Sequence, residues 1–216
     1  MELISITQAS VLAMIQVQQW DPFGKALNLE VLDKMRGRYI FAKAPTKLEE
    51  VDFQKGVELQ AGKFGDVRID RISIFFNGII VDTRSSTEDS EKVLYDILDM
   101  AREAFGATIQ PARLAFTSKI MFRSEMRLTS LNPALPKIAD QLTERATADL
   151  KHPFAFEPTA ILMSVDTSQA KIAPVTFSIE RRAEVPFAEK TYFSSAPLRT
   201  AEHLEVVRTF EASLLD

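Results

Sequence analysis

Three acidic residues, Glu58, Asp70 and Asp82, are the candidates for catalysis in this sequence. Asp70 and Asp82 lie on the two strands of a predicted hairpin, and Glu58 lies on the short predicted strand Val57–Ala61 that precedes it. Clustered carboxylates are the groups that bind divalent metal ions or act as general acid and base. One alternative is therefore a metal-dependent hydrolase or nuclease-like enzyme that uses sheet carboxylates. The simpler interpretation is a solvated polar edge of a sheet.

Four basic residues are the candidates for binding an anionic polymer: Arg113, Lys119, Arg123 and Arg127. All are odd-numbered in a stretch of alternating polarity, so a strand would present them on one face. A basic strand face makes polyanion or nucleic-acid binding a second alternative. No aromatic residue interleaves with them on that face, and the net charge of −4 shows no basic excess. We therefore favour a hydrated outer sheet face over nucleic-acid binding as the explanation of this pattern.

Cysteine, histidine, serine and glycine form no recognisable catalytic, metal-binding or phosphate-binding motif in this sequence. The absence of cysteine excludes disulfides, thiolate nucleophiles and cysteine-ligated metals. The two histidines, His152 and His203, stand in neither an H-x-x-x-H nor an H-E-x-x-H setting. No glycine-rich phosphate loop and no G-x-S-x-G motif occurs. We therefore predict no metal site and no cofactor, and we favour a protein without enzymatic activity.

A hairpin around Asn77-Gly78 must position the acidic residues. Asn-Gly tolerates positive φ at both central turn positions, so a two-residue turn is predicted with Phe75 opposite Ile80. The apolar positions of the preceding strand change parity, which predicts a bulge near Asp70-Arg71. Phe75 and Ile80 then make the hairpin tip apolar on both faces. They are the predicted interface residues.

Four stretches show the apolar spacing of helices. The clearest has N-cap candidates at Ser85-Ser86-Thr87 and a C-terminal cap at Gly106. Another starts at Asn132-Pro133, and its apolar face is expected to be buried. That face consists of Leu135, Ile138, Leu142 and Ala146. The remaining two run from Leu27 to Met35, where Gly37 is expected to end the helix, and from Thr200 onwards.

Period-two alternation and apolar runs predict the strands besides those of the hairpin. These strands are Val11–Val17, Tyr39–Ala42, Val57–Ala61, Arg113–Leu128, Ala160–Val165, Val175–Arg182 and Lys190–Ser195. The elements together predict an α+β fold with largely antiparallel sheet or sheets and about three to four helices packed on the sheet. Both halves follow a plan of hairpin and then helix. One globular domain spanning residues 1–216 is expected, with pseudo-similar halves at about 1–107 and 108–216.

The N-terminal residues lack the features of a signal peptide, and no stretch approaches the ~20 apolar residues of a membrane span. We therefore predict a cytoplasmic protein without membrane contact. The favoured function is a non-enzymatic binding or assembly module. It would form a homo-oligomer or a subunit of a larger complex, with a protein partner or a second copy bound through Phe75 and Ile80.

Overall fold

The computed structural model describes residues 1–15, 29–106, 109–169 and 173–215. Its four α-helices are α1 (Leu29–Tyr39), α2 (Thr87–Phe105), α3 (Ala134–Leu150) and α4 (Thr200–Leu215). Its eight strands are β1 (Glu2–Met14), β2 (Val57–Phe64), β3 (Val67–Phe75), β4 (Gly78–Thr83), β5 (Arg113–Arg123), β6 (Ala160–Met163), β7 (Phe177–Arg181) and β8 (Thr191–Ala196). Every strand pair with a described register is antiparallel, which confirms the predicted α+β fold. None of the helices in these ranges is long and apolar enough to cross a lipid bilayer.

The chain divides into two compact units. The N-terminal unit comprises Ile6–Lys119 and Ala196–His203. The C-terminal unit comprises Met1–Ser5, Ile120–Ser195 and Leu204–Asp216. The single domain of residues 1–216, with halves at about 1–107 and 108–216, stays a prediction.

In the N-terminal unit the strand order is β2-β3-β4-β1-β5. Helix α2 begins and ends as predicted, because the Ser86 side chain accepts a hydrogen bond from the Asp89 N–H, and Gly106 adopts φ +66°. Its apolar stripe joins the hydrophobic core of this unit, together with side chains of α1 and the four strands β1 to β4. Members of the core include Val11, Leu32, Met35, Tyr39, Leu59, Ile72, Ile74, Ile79, Val81, Leu94 and Ile97.

Helix α1 runs past its predicted end. We expected Gly37 to end the helix and Tyr39–Ala42 to form a strand, and both expectations are wrong. Tyr39 follows the buried Met35 by one turn and is itself fully buried. Burying an aromatic ring outweighs the roughly 1 kcal/mol by which glycine disfavours a helix. Leu27, the predicted first residue, lies outside the described residues.

The hairpin turns one residue earlier than the Asn77-Gly78 signal predicts. Phe75 pairs with Gly78, so Phe76-Asn77 forms the turn and Ile80 does not lie opposite Phe75. The predicted turn is therefore wrong, whereas the predicted bulge is confirmed by a register shift just before Arg71.

Gly78 serves the sheet rather than the turn. A Cβ atom at this position would lie 2.7 Å from the carbonyl oxygen of Ala13 on the neighbouring β1. Glycine is required where two backbones approach this closely. Gly78 therefore fixes the spacing between β1 and β4.

In the C-terminal unit the strand order is β5-β8-β7-β6, with β6 at the edge. The strand predicted to reach Leu128 ends at Arg123, although side chains of even number stay buried as far as Leu128. Phe122 stacks on Tyr192 at a ring separation of 5.7 Å, and the Tyr192 hydroxyl donates to the carbonyl oxygen of Met126 at 2.9 Å. These contacts hold the segment after β5 against β8.

Candidate functional site

Asp82, on β4, is the most enclosed of the three candidate carboxylates, with a side chain only 6% exposed. Its Oδ1 accepts hydrogen bonds from Ser10 Oγ at 2.5 Å and from Gln8 Nε2 at 3.2 Å. Its Oδ2 accepts two from Arg71, through Nε at 3.0 Å and Nη2 at 2.7 Å. A carboxylate has about four acceptor positions, and four donors fill them here. Asp82 therefore has no open position for a metal ion or substrate.

Arg71 joins Asp82 to Glu58. The sheet register sets Arg71 opposite Asp82 on one side and opposite Gln60 on the other. The Arg71 Nη1 donates to Glu58 Oε1 at 3.3 Å, and Gln60 Nε2 donates to Glu58 Oε2 at 2.9 Å. The hydrogen bond to Asp82 is the main cause that raises the pKa of Arg71. The guanidinium therefore stays charged between two carboxylates.

Asp70 belongs to a separate ion pair. Its Oδ2 accepts a hydrogen bond from Arg84 Nε at 2.5 Å. Both Asp70 and Asp82 line one groove of about 490 Å³ together with their arginine partners. Within the described ranges no group of three or more histidine, aspartate and glutamate side chains could hold a metal ion. The three carboxylates are paired with two arginines, Arg71 and Arg84, and their catalytic role stays a hypothesis.

The predicted basic row is divided between the two units. Arg113 and Lys119 belong to the N-terminal unit, where Arg113 is exposed and Lys119 is half-buried. Arg123 and Arg127 belong to the C-terminal unit, and both are exposed. The Nη1 atom of Arg123 lies 3.9 Å from Oε2 of Glu2, and Arg127 follows the end of β5. Their binding role stays a prediction.

The predicted interface residues Phe75 and Ile80 are both half-buried. A Cβ atom at Gly56 would lie 2.3 Å from the Phe75 ring, so this ring covers the loop before β2. Phe76 packs on Phe53 of the same loop at a ring separation of 6.0 Å. Part of the apolar tip is therefore covered within the chain. The interface role of Phe75 and Ile80 stays a prediction.

Helix α3 carries an apolar face that its own unit does not bury. We expected this face to lie in an interior, but no residue of α3 is buried, so that expectation is wrong. Ile138 is 53% exposed and Leu142 is 47% exposed. Amphipathic helices gain most of their stability by packing the apolar face. An exposed apolar face is therefore the feature expected of a contact surface.

The strap, residues 151–157, returns from the end of α3 along its side. The N–H groups of Phe154 and Phe156 donate to the Oγ1 atoms of Thr147 (3.4 Å) and Thr143 (3.1 Å). Positions four residues apart lie on the same helix face, next to the row that contains the exposed apolar side chains of α3. Both phenylalanines are exposed. The strap therefore adds two aromatic rings beside the apolar face of α3.

Strand β6 follows the strap and presents a free edge. It ends the strand order, and among the described residues it pairs with β7 alone. The carbonyl oxygen of Thr159 accepts from the N–H of Arg181 on β7 at 2.7 Å. Because backbone groups alternate in direction along a strand, those of Ala160 and Leu162 point away from β7. The Leu162 side chain is 65% exposed, and Met163 is similarly exposed.

A pocket of about 350 Å³ in the C-terminal unit contains Arg181. This guanidinium donates to the carbonyl oxygen of Phe187 at 3.0 Å and to Glu157 Oε2 at 2.9 Å. It also lies over the rings of Phe187 and Tyr192, at 4.6 Å and 5.4 Å from their centroids. These contacts attach the loop between β7 and β8 to the sheet. Arg181 therefore has a structural role in this pocket.

The exposed apolar residues between the start of α3 and the end of β6 were missed as a site by sequence reasoning. An apolar helical stripe and an apolar strand are typical of a core and of an interface alike. The sequence signal that was present is the apolar run of β6, Ala160–Met163, which has no polar face. Such a run predicts burial, but it does not reveal whether the covering surface belongs to the same chain.

We call residues 134–163, which comprise α3, the strap and β6, the α3–β6 segment. Its exposed apolar side chains and its free strand edge make it the candidate functional site, since the predicted carboxylates are occupied by arginine. No protein-family model matches this sequence, and a search of curated proteins returns no match.

Proposed function

We propose that this chain is a non-enzymatic assembly module of the cytoplasm that forms a homo-oligomer through the α3–β6 segment. One observation carries the proposal. Among the described residues, seven of the seventeen large apolar side chains that stand exposed lie in the α3–β6 segment, namely Ile138, Leu142, Leu150, Phe154, Phe156, Leu162 and Met163. Single exposed apolar residues are normal on a protein surface, whereas a concentration of them is typical of an interaction site.

The exposed apolar area is close to that of a standard interface. If large side chains each present ~200 Å² and about half remains in water, the seven of this segment expose roughly 700 Å². A standard protein–protein interface buries about 800 Å² on each partner. Association through this region therefore removes enough apolar surface from water to favour a specific complex.

The charges of the α3–β6 segment favour a second copy as the partner. Lys137, Arg145 and Lys151 are interspersed with four acidic residues, so neither sign dominates the segment. The acidic residues are Asp140, Glu144, Asp149 and Glu157. Two copies of such a surface do not repel each other strongly, whereas a one-signed surface would select a partner of opposite charge.

The alternative functions have less support. Glu58, Asp70 and Asp82 are engaged by arginine, so a hydrolase would have to break ion pairs before these carboxylates could act. The basic residues Arg113, Lys119, Arg123 and Arg127 are divided between the two units, and no aromatic residue occupies an odd-numbered sequence position between them. Neither arrangement favours catalysis or nucleic-acid binding over assembly.

Light scattering after size-exclusion chromatography tests the proposal. The wild-type chain should elute with a mass that is a multiple of 24.3 kDa. The double variant Ile138→Gln/Leu142→Gln should shift towards the monomer, because glutamine keeps the helix but removes the apolar contacts. Tyr95→Gln on α2 is the matched control, since Tyr95 is 46% exposed on a helix of the N-terminal unit.

The control variant should retain the wild-type mass. A wild-type chain that remains monomeric up to its solubility limit would overturn the proposal. So would a double variant that assembles as well as the wild type. Cell fractionation checks the proposed location, with recovery in the cytoplasmic fraction as the expected outcome.

A further inference from the structure

Among the residues that the structure describes, the outer edge of β6 has a defined set of backbone groups without a strand partner. Thr159 bonds to Arg181 on β7, and the pairing continues through Ile161 opposite Ile179. Residues of odd number therefore direct their N–H and C=O groups towards β7. Ala160 and Leu162 direct theirs outwards, and the same alternation, continued one residue past the end of β6, would place the backbone groups of Ser164 on the outer edge.

We propose that a second copy of this chain pairs its own β6 antiparallel to this edge, about a two-fold axis that passes midway between the two copies of Leu162. The inference rests on the proposed assembly function and names the contact that joins the copies. The two N–H···O=C bonds of the central pair then link Leu162 to the partner's Leu162. Ala160 of each copy pairs with Ser164 of the other.

The register follows from the geometry of the strand. Opposed residues in an antiparallel pair place their side chains on the same face, and adjacent residues of one strand point to opposite faces. A two-fold axis perpendicular to the sheet keeps each side chain on its original face of the sheet. The central residue of the pairing must therefore lie opposite its own copy, because a residue placed opposite the next position in the sequence would point to the other face. When Leu162 lies opposite its own copy, Ala160, Leu162 and Ser164 all have a partner. When Ile161 lies opposite its own copy, Ser164 has none.

The composition of the edge favours this self-pairing. Residues 158–165 carry no charge, so two antiparallel copies bring no like charges together. Natural edge strands are protected by their shortness, an inward charge, a lysine, a proline or a bulge. Strand β6 is four residues long, but it has none of the other features between Ala160 and Met163. The Leu162 and Met163 side chains, both exposed in one chain, each gain a cross-strand neighbour when the sheet continues into the second copy.

A single introduced thiol tests the register, because the wild-type chain has no cysteine. Hydrogen-bonded antiparallel pairs have Cα atoms about 5.5 Å apart, which is within disulfide range. Leu162→Cys should therefore form a covalent dimer on mild oxidation. Leu150→Cys, equally exposed at 66% but at the end of α3, reports the alternative in which α3 meets α3. The covalent dimer from Leu162→Cys should exceed that from Leu150→Cys by about tenfold.

A proline scan tests the backbone bonds. The Leu162 N–H points away from β7, so Leu162→Pro removes only the contact with the second copy. We expect this variant to keep the wild-type circular dichroism while its dimer dissociation constant rises about tenfold or more. Leu162→Ala retains the N–H and should dissociate less readily than the proline variant. Ile161→Pro removes a bond to β7 and should instead lower the unfolding midpoint.

The outcomes separate this inference from the proposed function. If the wild type is monomeric, both fail. If it assembles, but Leu162→Cys gives no covalent dimer or Leu162→Pro leaves the dissociation constant unchanged, the β6 pairing is wrong and assembly uses another part of the α3–β6 segment. Efficient cross-linking through Leu150→Cys with none through Leu162→Cys would assign the contact to α3.

Discussion

Thr87 and Thr200 cap each other. The N–H of Thr87 donates to Thr200 Oγ1 at 3.0 Å, and the N–H of Thr200 donates to Thr87 Oγ1 at 2.7 Å. They are the first residues of α2 and α4, and both are buried. Because the first amides of a helix have no partner within that helix, each threonine satisfies an amide that the other helix leaves open.

Thr200→Val should lower the free energy of unfolding by about 1–3 kcal/mol, because the buried N–H of Thr87 then lacks an acceptor. Thr87→Val should have a similar effect through the N–H of Thr200. Thr200→Ser retains the hydroxyl and should lose much less stability. Urea denaturation measures these differences as shifts in midpoint at constant slope. A valine variant as stable as the wild type would contradict the reciprocal cap.

Gly78→Ala should destabilise the fold for a reason different from that of Gly65→Ala. At Gly78 the added methyl group meets the backbone of β1, which should cost about 1–3 kcal/mol. At Gly65 nothing lies within 4 Å of an added Cβ, but φ is +57°, so alanine should cost about 1 kcal/mol.

Asparagine separates the two causes. It tolerates positive φ, so Gly65→Asn should recover most of the stability that Gly65→Ala loses. Gly78→Asn should be less stable than Gly78→Ala, because the larger side chain meets the same backbone. Thermal unfolding reports both comparisons. Recovery at Gly78 with asparagine would show that backbone conformation, and not the distance to Ala13, is the constraint.

Features set by neighbouring residues could be predicted from the sequence. The caps of α2 at Ser86 and Gly106 depend on residues within one turn, and the bulge before Arg71 is visible as a change of apolar parity. Every predicted strand except Tyr39–Ala42 has a counterpart in the sheet. Local propensity and burial agree at these positions, which is the condition under which a pattern predicts structure.

Features set by distant residues could not be predicted. The close approach of Ala13 decides where Gly78 lies, although the Asn-Gly pair locally favours a turn. Arg71 neutralises Asp82 through a register that depends on three strands. The exposure of Ile138 has no sequence signal, because an apolar helical face looks the same whether its own chain or another covers it. The candidate site therefore required the structure.

Asp82→Asn should destabilise the fold by about 1–3 kcal/mol, because Arg71 loses the more enclosed of its two charged partners and the amide cannot accept from four donors. Asp70→Asn is the matched control. Its partner Arg84 is 67% exposed, so this variant should lose less than about 1 kcal/mol. Urea denaturation at neutral pH measures both. Full stability of Asp82→Asn would argue against a structural role and reopen the catalytic hypothesis.

The last prediction concerns His203 at the start of α4, whose burial lowers its pKa to about 4. In the unfolded chain a histidine titrates near pH 6.5. Between these values the unfolded chain binds a proton that the folded chain does not, so stability falls as the pH drops from about 6.5 towards about 4. The loss at pH 5 relative to pH 8 should be about 2 kcal/mol.

His203→Gln does not titrate, so its unfolding free energy should change little between pH 8 and pH 5. His152→Gln is the control, since His152 is exposed and should leave the wild-type loss in place. The lowered pKa values of Asp96 and Glu211 cost stability only below about pH 5, where unfolded carboxylates begin to protonate, so this window isolates the histidine. Urea denaturation at several pH values gives the slope of the unfolding free energy against pH directly. If this slope is the same for His203→Gln and the wild type, then His203 is protonated in the folded chain near pH 6, and another group causes the acid sensitivity.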